Sequence, residues 1–347
     1  MSAILNAFWN PIVDKEYRSR MRTWRSPLAM TVYILLIGGL GWAIFAAMTF
    51  SARNSYGGGQ AANYGQGLFI YLLIFQMVLL TFITPALTAG AISSERERQT
   101  IDLLFVTRIP PFSILWGKLL ASMSFVLLLL LLSVPIFSLV FLFGGIELDQ
   151  VLTAFLVTAV AALTLGVIGI ACSTAFRRTL PATVAAYGAA LVILAGSLLV
   201  GLLFPTDLDP QSVTAAAPPA VTYLSPIIPL ITIATNGPVG GFGVRNQNGG
   251  FSGPVSTTCS APANGGPQTC YSVGANGQPL GKGSVNGPTN PPQASGTTIP
   301  SGLFRGWQYW QATVTMHLVL AAFALLVSAL LLPPVRRFPR RKKLVTV

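Results

Sequence analysis

Charged side chains that could bind a partner are concentrated in residues 93–118. The run Ser94-Glu-Arg-Glu97 fits a capping box, with Ser94 as the N-cap residue and Glu97 at the third helical position. A helix is therefore predicted to begin at Glu95. Arg98 and Asp102 would form an i,i+4 pair on this helix.

Pro110 and Pro111 follow this charged stretch and would end the helix. The expected result is a short cytosolic helix over residues 94–108, held close to the membrane. Docking of a partner subunit would explain its length and its mixed charge. A solvated connector is the alternative, although a plain connector needs only a few residues.

The residues needed for catalysis, ion relay or ATP binding are missing from the sequence. The predicted spans contain no Asp, Glu, Lys or Arg, whereas charged groups inside spans mark ion and proton pathways. His317 is the only histidine and is expected to hydrogen-bond a neighbouring helix rather than a substrate. The nearest approach to a P-loop is Leu280-Gly-Lys-Gly283. Asn276 stands where the motif has its first glycine, and Gly283 stands where it has a serine or threonine. No cofactor is therefore expected on this chain.

Three cysteines occur. Cys172 falls within an apolar segment and is interpreted as a packing residue. Cys259 and Cys270 flank ten residues rich in Pro, Gly and Asn, and a disulfide between them is favoured over two free thiols. A metal site is not expected, because no histidine lies near them.

Six apolar segments have the length of about 20 residues that a spanning helix needs. Hydrophobic residues make up 52% of the chain and charged residues 9%, against about 25% charged in soluble domains. The sequence therefore predicts an all-α integral membrane protein with six transmembrane helices. The predicted spans are 28–50, 68–92, 119–143, 151–175, 180–203 and 309–332.

The distribution of basic residues predicts the orientation. With the N-terminus inside, 17 of the 21 Lys and Arg residues lie on the inner side and 4 on the outer side. Cytoplasmic loops carry the excess of basic residues, so both termini are predicted to be cytoplasmic. We expect a multi-pass protein of a prokaryotic cell (inner) membrane.

Small residues in two spans permit close helix approach: Gly38, Gly39 and Gly41 in the first, Gly166 and Gly169 in the fourth. Their pattern alone does not separate packing within one subunit from an interface between two subunits.

Two segments lie outside the main spans. Residues 1–27 form a basic N-terminal segment in which Tyr17, Met21 and Trp24 share one helix face, which is typical of an amphipathic interfacial helix. The alternative is a segment that only anchors the topology, since cytoplasmic flanks of spans are generally basic. Residues 204–306 form a long external loop rich in Gly, Pro and Asn. Its apolar part, residues 221–235, is too short to span and is interpreted as interfacial or re-entrant. The remainder, residues 236–306, is expected to be irregular.

Four motifs together resemble the permease subunits of type-2 ATP-binding-cassette (ABC) exporters. They are Asn10-Pro-Ile-Val-x-Lys-Glu-x-Arg-x-Arg-Met-Arg22, Ile92-Ser-Ser-Glu-Arg-Glu-Arg-Gln-Thr-Ile-Asp-Leu-Leu104, Gly117-Lys-Leu-Leu120 and Phe176-Arg-Arg-Thr179. The resemblance covers roughly residues 8 to 203 and returns in the last span. The long external loop departs from the family pattern.

The resemblance implies an N-terminal elbow helix and a coupling helix that docks on a separate ATP-binding subunit. The elbow residues would be Tyr17, Arg18, Met21, Arg22, Trp24 and Arg25. The docking residues would be Glu95, Arg96, Glu97, Arg98, Asp102, Phe105 and Arg108.

The implied function is the membrane half of an ATP-driven exporter, within the domain order 1–27, 28–203, 204–306 and 307–347. ATP and Mg²⁺ are expected on the partner subunit, and a second permease copy or a related permease would complete the path. The chain itself would not be an enzyme, and nucleic acid is not an expected partner. The alternative is a non-transporting scaffold whose external loop binds a partner.

Overall fold

The computed structural model describes residues 24–54, 61–99, 111–199, 220–235, 244–245, 251–252, 256–260, 269–273, 279–284, 299 and 304–331. Long helices dominate these residues. The helices are α1 (Arg25–Asn54), α2 (Ala61–Thr88), α3 (Ser93–Glu97), α4 (Pro111–Val140), α5 (Leu148–Ala175), α6 (Thr179–Leu191), α7 (Ile227–Thr235) and α8 (Tyr309–Leu331).

Six helices in this part of the chain are long and apolar enough to cross a membrane. A bilayer requires internal hydrogen bonding of the backbone, which a continuous helix provides. The spans are Ser26–Ala47, Gly65–Glu97, Leu115–Phe143, Leu148–Ala175, Thr179–Leu199 and Tyr309–Leu331. The predicted all-α architecture with six spans is confirmed.

Helix α5 is at the centre of the bundle. It packs against α2, α4, α6, α7 and α8. Its buried hydroxyls bond to its own backbone, as when Thr158 Oγ1 donates to the Ala154 carbonyl at 2.8 Å. Thr164 Oγ1 also donates to the His317 carbonyl of α8 at 3.2 Å. These bonds allow polar residues at the centre of an apolar bundle.

Two glycines allow α5 to approach its neighbours. A Cβ atom on Gly166 would overlap the side chain of Met123, and one on Gly169 would overlap Thr88 Oγ1. Packing within the subunit therefore accounts for both glycines. In α1, by contrast, a Cβ atom on Gly39 would meet nothing within 4 Å.

Helix α1 lies at the edge of the bundle. It packs against α2 and α4, and its buried side chains include Tyr33 and Ile37. Leu35 and Trp42 on its other side are more than two-thirds exposed. In a membrane such an apolar face meets lipid or another membrane helix.

The span that begins with α6 changes its winding after Leu191. The α-helical part ends at Leu191, and Val192–Gly196 forms a π-helical turn. Ser197 Oγ donates to the Ile193 carbonyl within this turn. Helix α6 itself is joined to α2, because Tyr187 Oη donates to the Phe82 carbonyl at 3.1 Å.

The apolar segment between the fifth and sixth spans inserts into the bundle. A 3₁₀ turn, Ala220–Leu224, leads into α7, whose side chains are almost all buried against α2, α5 and α8. Gln66 Nε2 of α2 donates to the Ala234 carbonyl at 2.8 Å and satisfies the end of α7. Of the two predicted placements, the burial favours a re-entrant segment over an interfacial one.

The predicted irregular loop contains short strands that the composition did not indicate. They are β1 (Val244–Arg245), β2 (Phe251–Ser252), β3 (Ser256–Ser260), β4 (Thr269–Val273) and β5 (Pro279–Ser284). Strands β1 and β2 form an antiparallel pair. Strands β3, β4 and β5 form an antiparallel sheet in that order.

The glycine contacts give a first test. Gly169→Ala should destabilise the bundle by about 1–3 kcal/mol, because the added methyl group overlaps Thr88 in a packed core. Gly39→Ala is the matched control, because open space surrounds its Cβ position. Thermal unfolding of the purified protein in detergent measures both. An equal melting temperature for the two variants would contradict the described packing.

Candidate functional site

The stretch predicted to dock a partner forms a tight turn at the end of α2. Helix α3 begins at Ser93 and ends at Glu97. Its N-cap residue is Ile92, which makes no side-chain cap. The predicted capping box, with Ser94 as N-cap and a helix starting at Glu95, is therefore wrong.

The helix also ends earlier than predicted. Arg98 is its C-cap residue, and Gln99 has a φ of 57°, in the left-handed region that non-glycine residues rarely adopt. The predicted unbroken helix over residues 94–108 is therefore wrong, because the backbone turns at Gln99. Asp102, Phe105 and Arg108 lie outside the described residues, as does Pro110. Pro111 opens α4, where its missing N–H costs nothing.

A residue of another helix caps α3. Ser173 Oγ, near the end of α5, accepts hydrogen bonds from the backbone amides of Ile92 and Ser93, each at 2.9 Å. It donates to Ser93 Oγ at 3.3 Å, and Ser93 Oγ donates to the Ala89 carbonyl at 3.2 Å. Both serines are fully buried. The orphan amides at the start of α3 are therefore satisfied by α5 rather than by a local side chain.

Arg96 joins α3 to the end of α5. Its Nη1 donates to the Thr174 carbonyl at 2.8 Å. Helix α5 ends at Ala175, so this carbonyl is among the last four, which lack partners within the helix. A cation is also favourable there because of the helix dipole.

Glu97 joins α3 to the start of α6. Its Oε1 accepts a hydrogen bond from the Thr179 backbone amide at 2.9 Å, and its Oε2 accepts one from Thr179 Oγ1 at 3.0 Å. Thr179 is the first residue of α6, where amides lack partners and a negative charge is favourable. These bonds are exposed to solvent, so each contributes modestly.

Glu95 joins α3 to α4 through an ion pair. Its Oε1 lies 2.8 Å from Lys118 Nζ, and the side chains are 30% and 7% exposed respectively. An ammonium group that is so deeply buried requires a counterion, because removing a charge from water is costly. Glu95 supplies that charge from the adjacent turn.

These contacts form one unit, which we call the polar clamp. It consists of Ser93, Glu95, Arg96 and Glu97 of α3 and their partners Lys118, Ser173, Thr174 and Thr179. Through it, the turn after α2 is bonded to α4, α5 and α6 at one end of the bundle. The sequence pattern identified the charged half of the clamp but assigned its acidic and basic residues to an external partner.

Arg98 differs from its neighbours. Its side chain is exposed, and among the described residues no ion pair or hydrogen bond of its guanidinium is seen. Of the predicted docking residues that the structure describes, it is therefore the one with an exposed charge that no described residue binds. Arg177 and Arg178, in the turn between α5 and α6, are exposed at the same end.

The predicted elbow helix lies almost wholly outside the described residues, including Tyr17, Arg18, Met21 and Arg22. Trp24 is 81% exposed and immediately precedes α1. Arg25 is the first residue of α1. The spanning helix therefore begins three residues before the predicted boundary at Leu28.

His317 lies buried in α8, 2% exposed. The Leu224 backbone lies near the imidazole, yet neither ring nitrogen forms a hydrogen bond of normal geometry with the described residues. The expected side-chain bond to a neighbouring helix is thus not seen there. In this part of the chain, no group of three or more His, Cys, Asp and Glu could hold a metal ion.

The ion pair of the clamp gives a second prediction. Glu95→Gln should destabilise the protein by roughly 2 kcal/mol, less than for a fully buried pair because Glu95 is partly exposed. Adding Lys118→Met should recover much of this loss, since no buried charge remains. Thermal unfolding in detergent measures both, with Arg98→Gln as an exposed control. A double variant no more stable than Glu95→Gln would contradict the pairing.

A comparison with protein-family models agrees with this architecture. A comparison with curated proteins gives no match of significant similarity. A family model described as ABC-2 family transporter protein matches residues 43–239, from within α1 to just beyond α7. The match covers more than half of the chain and includes the polar clamp and α7. The chain therefore belongs to the ABC-2 transporter family and is a membrane-spanning transport permease subunit.

Proposed function

We propose that this protein is the membrane-spanning half of an ATP-driven exporter in a prokaryotic inner membrane, powered by a separate ATP-binding subunit. The observation that carries the proposal is the polar clamp, which bonds one short turn to three further spans. A force applied to that turn is passed to α4, α5 and α6 through polar contacts.

In this proposal the predicted docking residues divide into two groups. Glu95, Arg96 and Glu97 have partners within the chain, and they hold the turn against the spans. Arg98 is exposed beside them and contacts the ATP-binding subunit. Asp102, Phe105 and Arg108, which follow in the sequence, remain proposed docking residues.

The orientation follows from the basic residues. The polar clamp lies on the cytoplasmic side, where an ATP-binding subunit has access to ATP, and both termini lie on the same side. ATP and Mg²⁺ bind to that subunit. Two permeases, identical or related, enclose the path, and ATP-driven closure of two ATP-binding subunits displaces the two clamps.

Docking is tested by reversing the exposed charge alone. Arg98→Glu should lower the amount of ATPase that copurifies in mild detergent by about tenfold, since a misplaced interface charge costs on the order of 1.4 kcal/mol or more. Arg305→Glu is the matched control: Arg305 is also an exposed arginine but lies beyond the opposite end of the spans. ATPase retained in full by Arg98→Glu would refute docking at this residue. Absence of any ATPase from the wild-type preparation would refute the proposed function itself.

Coupling is tested separately at Glu97. Glu97→Ala removes the acceptor of the Thr179 amide but leaves Arg98 in place, so the ATPase should still copurify. Amide hydrogen exchange in the first turn of α6 should then respond to ATP plus vanadate in the wild-type complex and not in the variant. An unchanged response in Glu97→Ala would show that the contact does not transmit movement to α6.

A further inference from the structure

The second candidate site is a pair of cysteines in the sheet between the fifth and sixth spans. Cys259 lies in β3 and Cys270 in β4, and the antiparallel register places them directly opposite each other. On the other side of β4, Cys270 is opposite Gly283 of β5. The described sheet therefore brings together two residues that are separated by ten others in the sequence.

This register meets the backbone requirement for a disulfide. Directly opposed residues of an antiparallel pair have Cα atoms about 4.5 or 5.5 Å apart. A disulfide needs a Cα separation of about 4.4–6.8 Å. The Cα separation typical of such a pair is therefore within the range that a disulfide bridges.

The alternative partners are few. Cys172 is the only other cysteine of the chain, and it lies in α5, inside a span. A bond to a second copy of the chain would compete with a partner that is already opposite in the same sheet. Pairing within the chain is therefore favoured by proximity.

The composition of the strands explains why a cross-link would be needed here. Strand β3 reads Ser-Thr-Thr-Cys-Ser, and β5 reads Pro-Leu-Gly-Lys-Gly-Ser. Such sequences offer little apolar surface to bury. Small domains of this kind depend on disulfides or other cross-links for their stability. Val273 and Leu280 are the only aliphatic residues larger than alanine in the three strands, apart from a single proline.

We propose that Cys259 and Cys270 form a disulfide that joins β3 to β4 and fixes their register. The inference rests on the proposed orientation, in which residues 204–306 face the oxidising exterior of the membrane. The two thiols lose two protons and two electrons as the S–S bond forms. A disulfide of an external thiol–disulfide oxidoreductase accepts them and is reduced to two thiols.

Thiol counting in the full-length protein tests the bond. Membranes are dissolved in SDS with N-ethylmaleimide to block free thiols, then reduced and treated with a polyethylene-glycol maleimide that adds mass to newly exposed thiols. In the Cys172→Ala background we expect two added labels with reduction and none without it. Two thiols blocked at the first step, leaving none to label after reduction, would overturn the proposal.

Single variants separate intramolecular from intermolecular bonds. Cys259→Ser and Cys270→Ser in the same background each leave one thiol, which should be blocked at the first step. The protein that keeps both Cys259 and Cys270 should run as a monomer on a non-reducing gel. A wild-type dimer that disappears on reduction would place the bond between two chains and overturn the proposal.

Labelling of intact cells separates failure of the bond from failure of the orientation. The cells are treated with a membrane-impermeant maleimide. Labelling that occurs in intact cells only when a reductant is added supports both the disulfide and the orientation. Labelling from outside without a reductant would leave the orientation intact and overturn the disulfide. Labelling only after permeabilisation, without reductant, would overturn the disulfide together with the proposed exporter topology.

Discussion

The end of the bundle that carries the polar clamp depends on how two backbone amides are hydrogen-bonded. Where the chain leaves α2, the amides of Ile92 and Ser93 point into a buried site and need an acceptor. Ser173 Oγ accepts both. An unpaired buried amide is costly, so this hydroxyl of α5 stabilises the turn. The remaining bonds of the clamp follow, because α3 is then oriented with Glu95, Arg96 and Glu97 facing α4, α5 and α6.

Each charge of the clamp meets a backbone or side-chain group of the opposite polarity. Arg96 is placed at the carbonyl end of α5, and Glu97 is placed at the amide end of α6. A helix end carries roughly half a unit charge of known sign. An acidic-basic-acidic run can therefore bind both the C-terminal end of α5 and the N-terminal end of α6. Exchanging Arg96 and Glu97 would bring each charge to the helix end that repels it.

The sequence correctly predicted the structural features that do not depend on contacts between distant residues. Six apolar blocks predicted the spans, because a bilayer-spanning helix needs length and composition more than specific partners. The cap of α3 was predicted incorrectly, since Ser94 and Glu97 match a local rule while Ser173, about 80 residues away, supplies the cap. The break at Gln99 was also missed, since the backbone adopts a positive φ without a glycine. The strands were missed because serine, threonine and glycine do not alternate with apolar residues.

The π turn of α6 bears on how this helix can change in length. Buried alanines recur every four residues, at Ala182, Ala186 and Ala190, and each step of four exceeds the 3.6 residues of an α-helical turn. The buried stripe therefore drifts around the helix. The wider π turn at 192–196 corrects the drift and returns Ile193, Leu194 and Ser197 to the bundle. A π turn is an α-helix holding one surplus residue. Deletion of one residue within this turn would convert it to ordinary α-helix, and it would leave α6 and the bond of Thr179 to Glu97 in place.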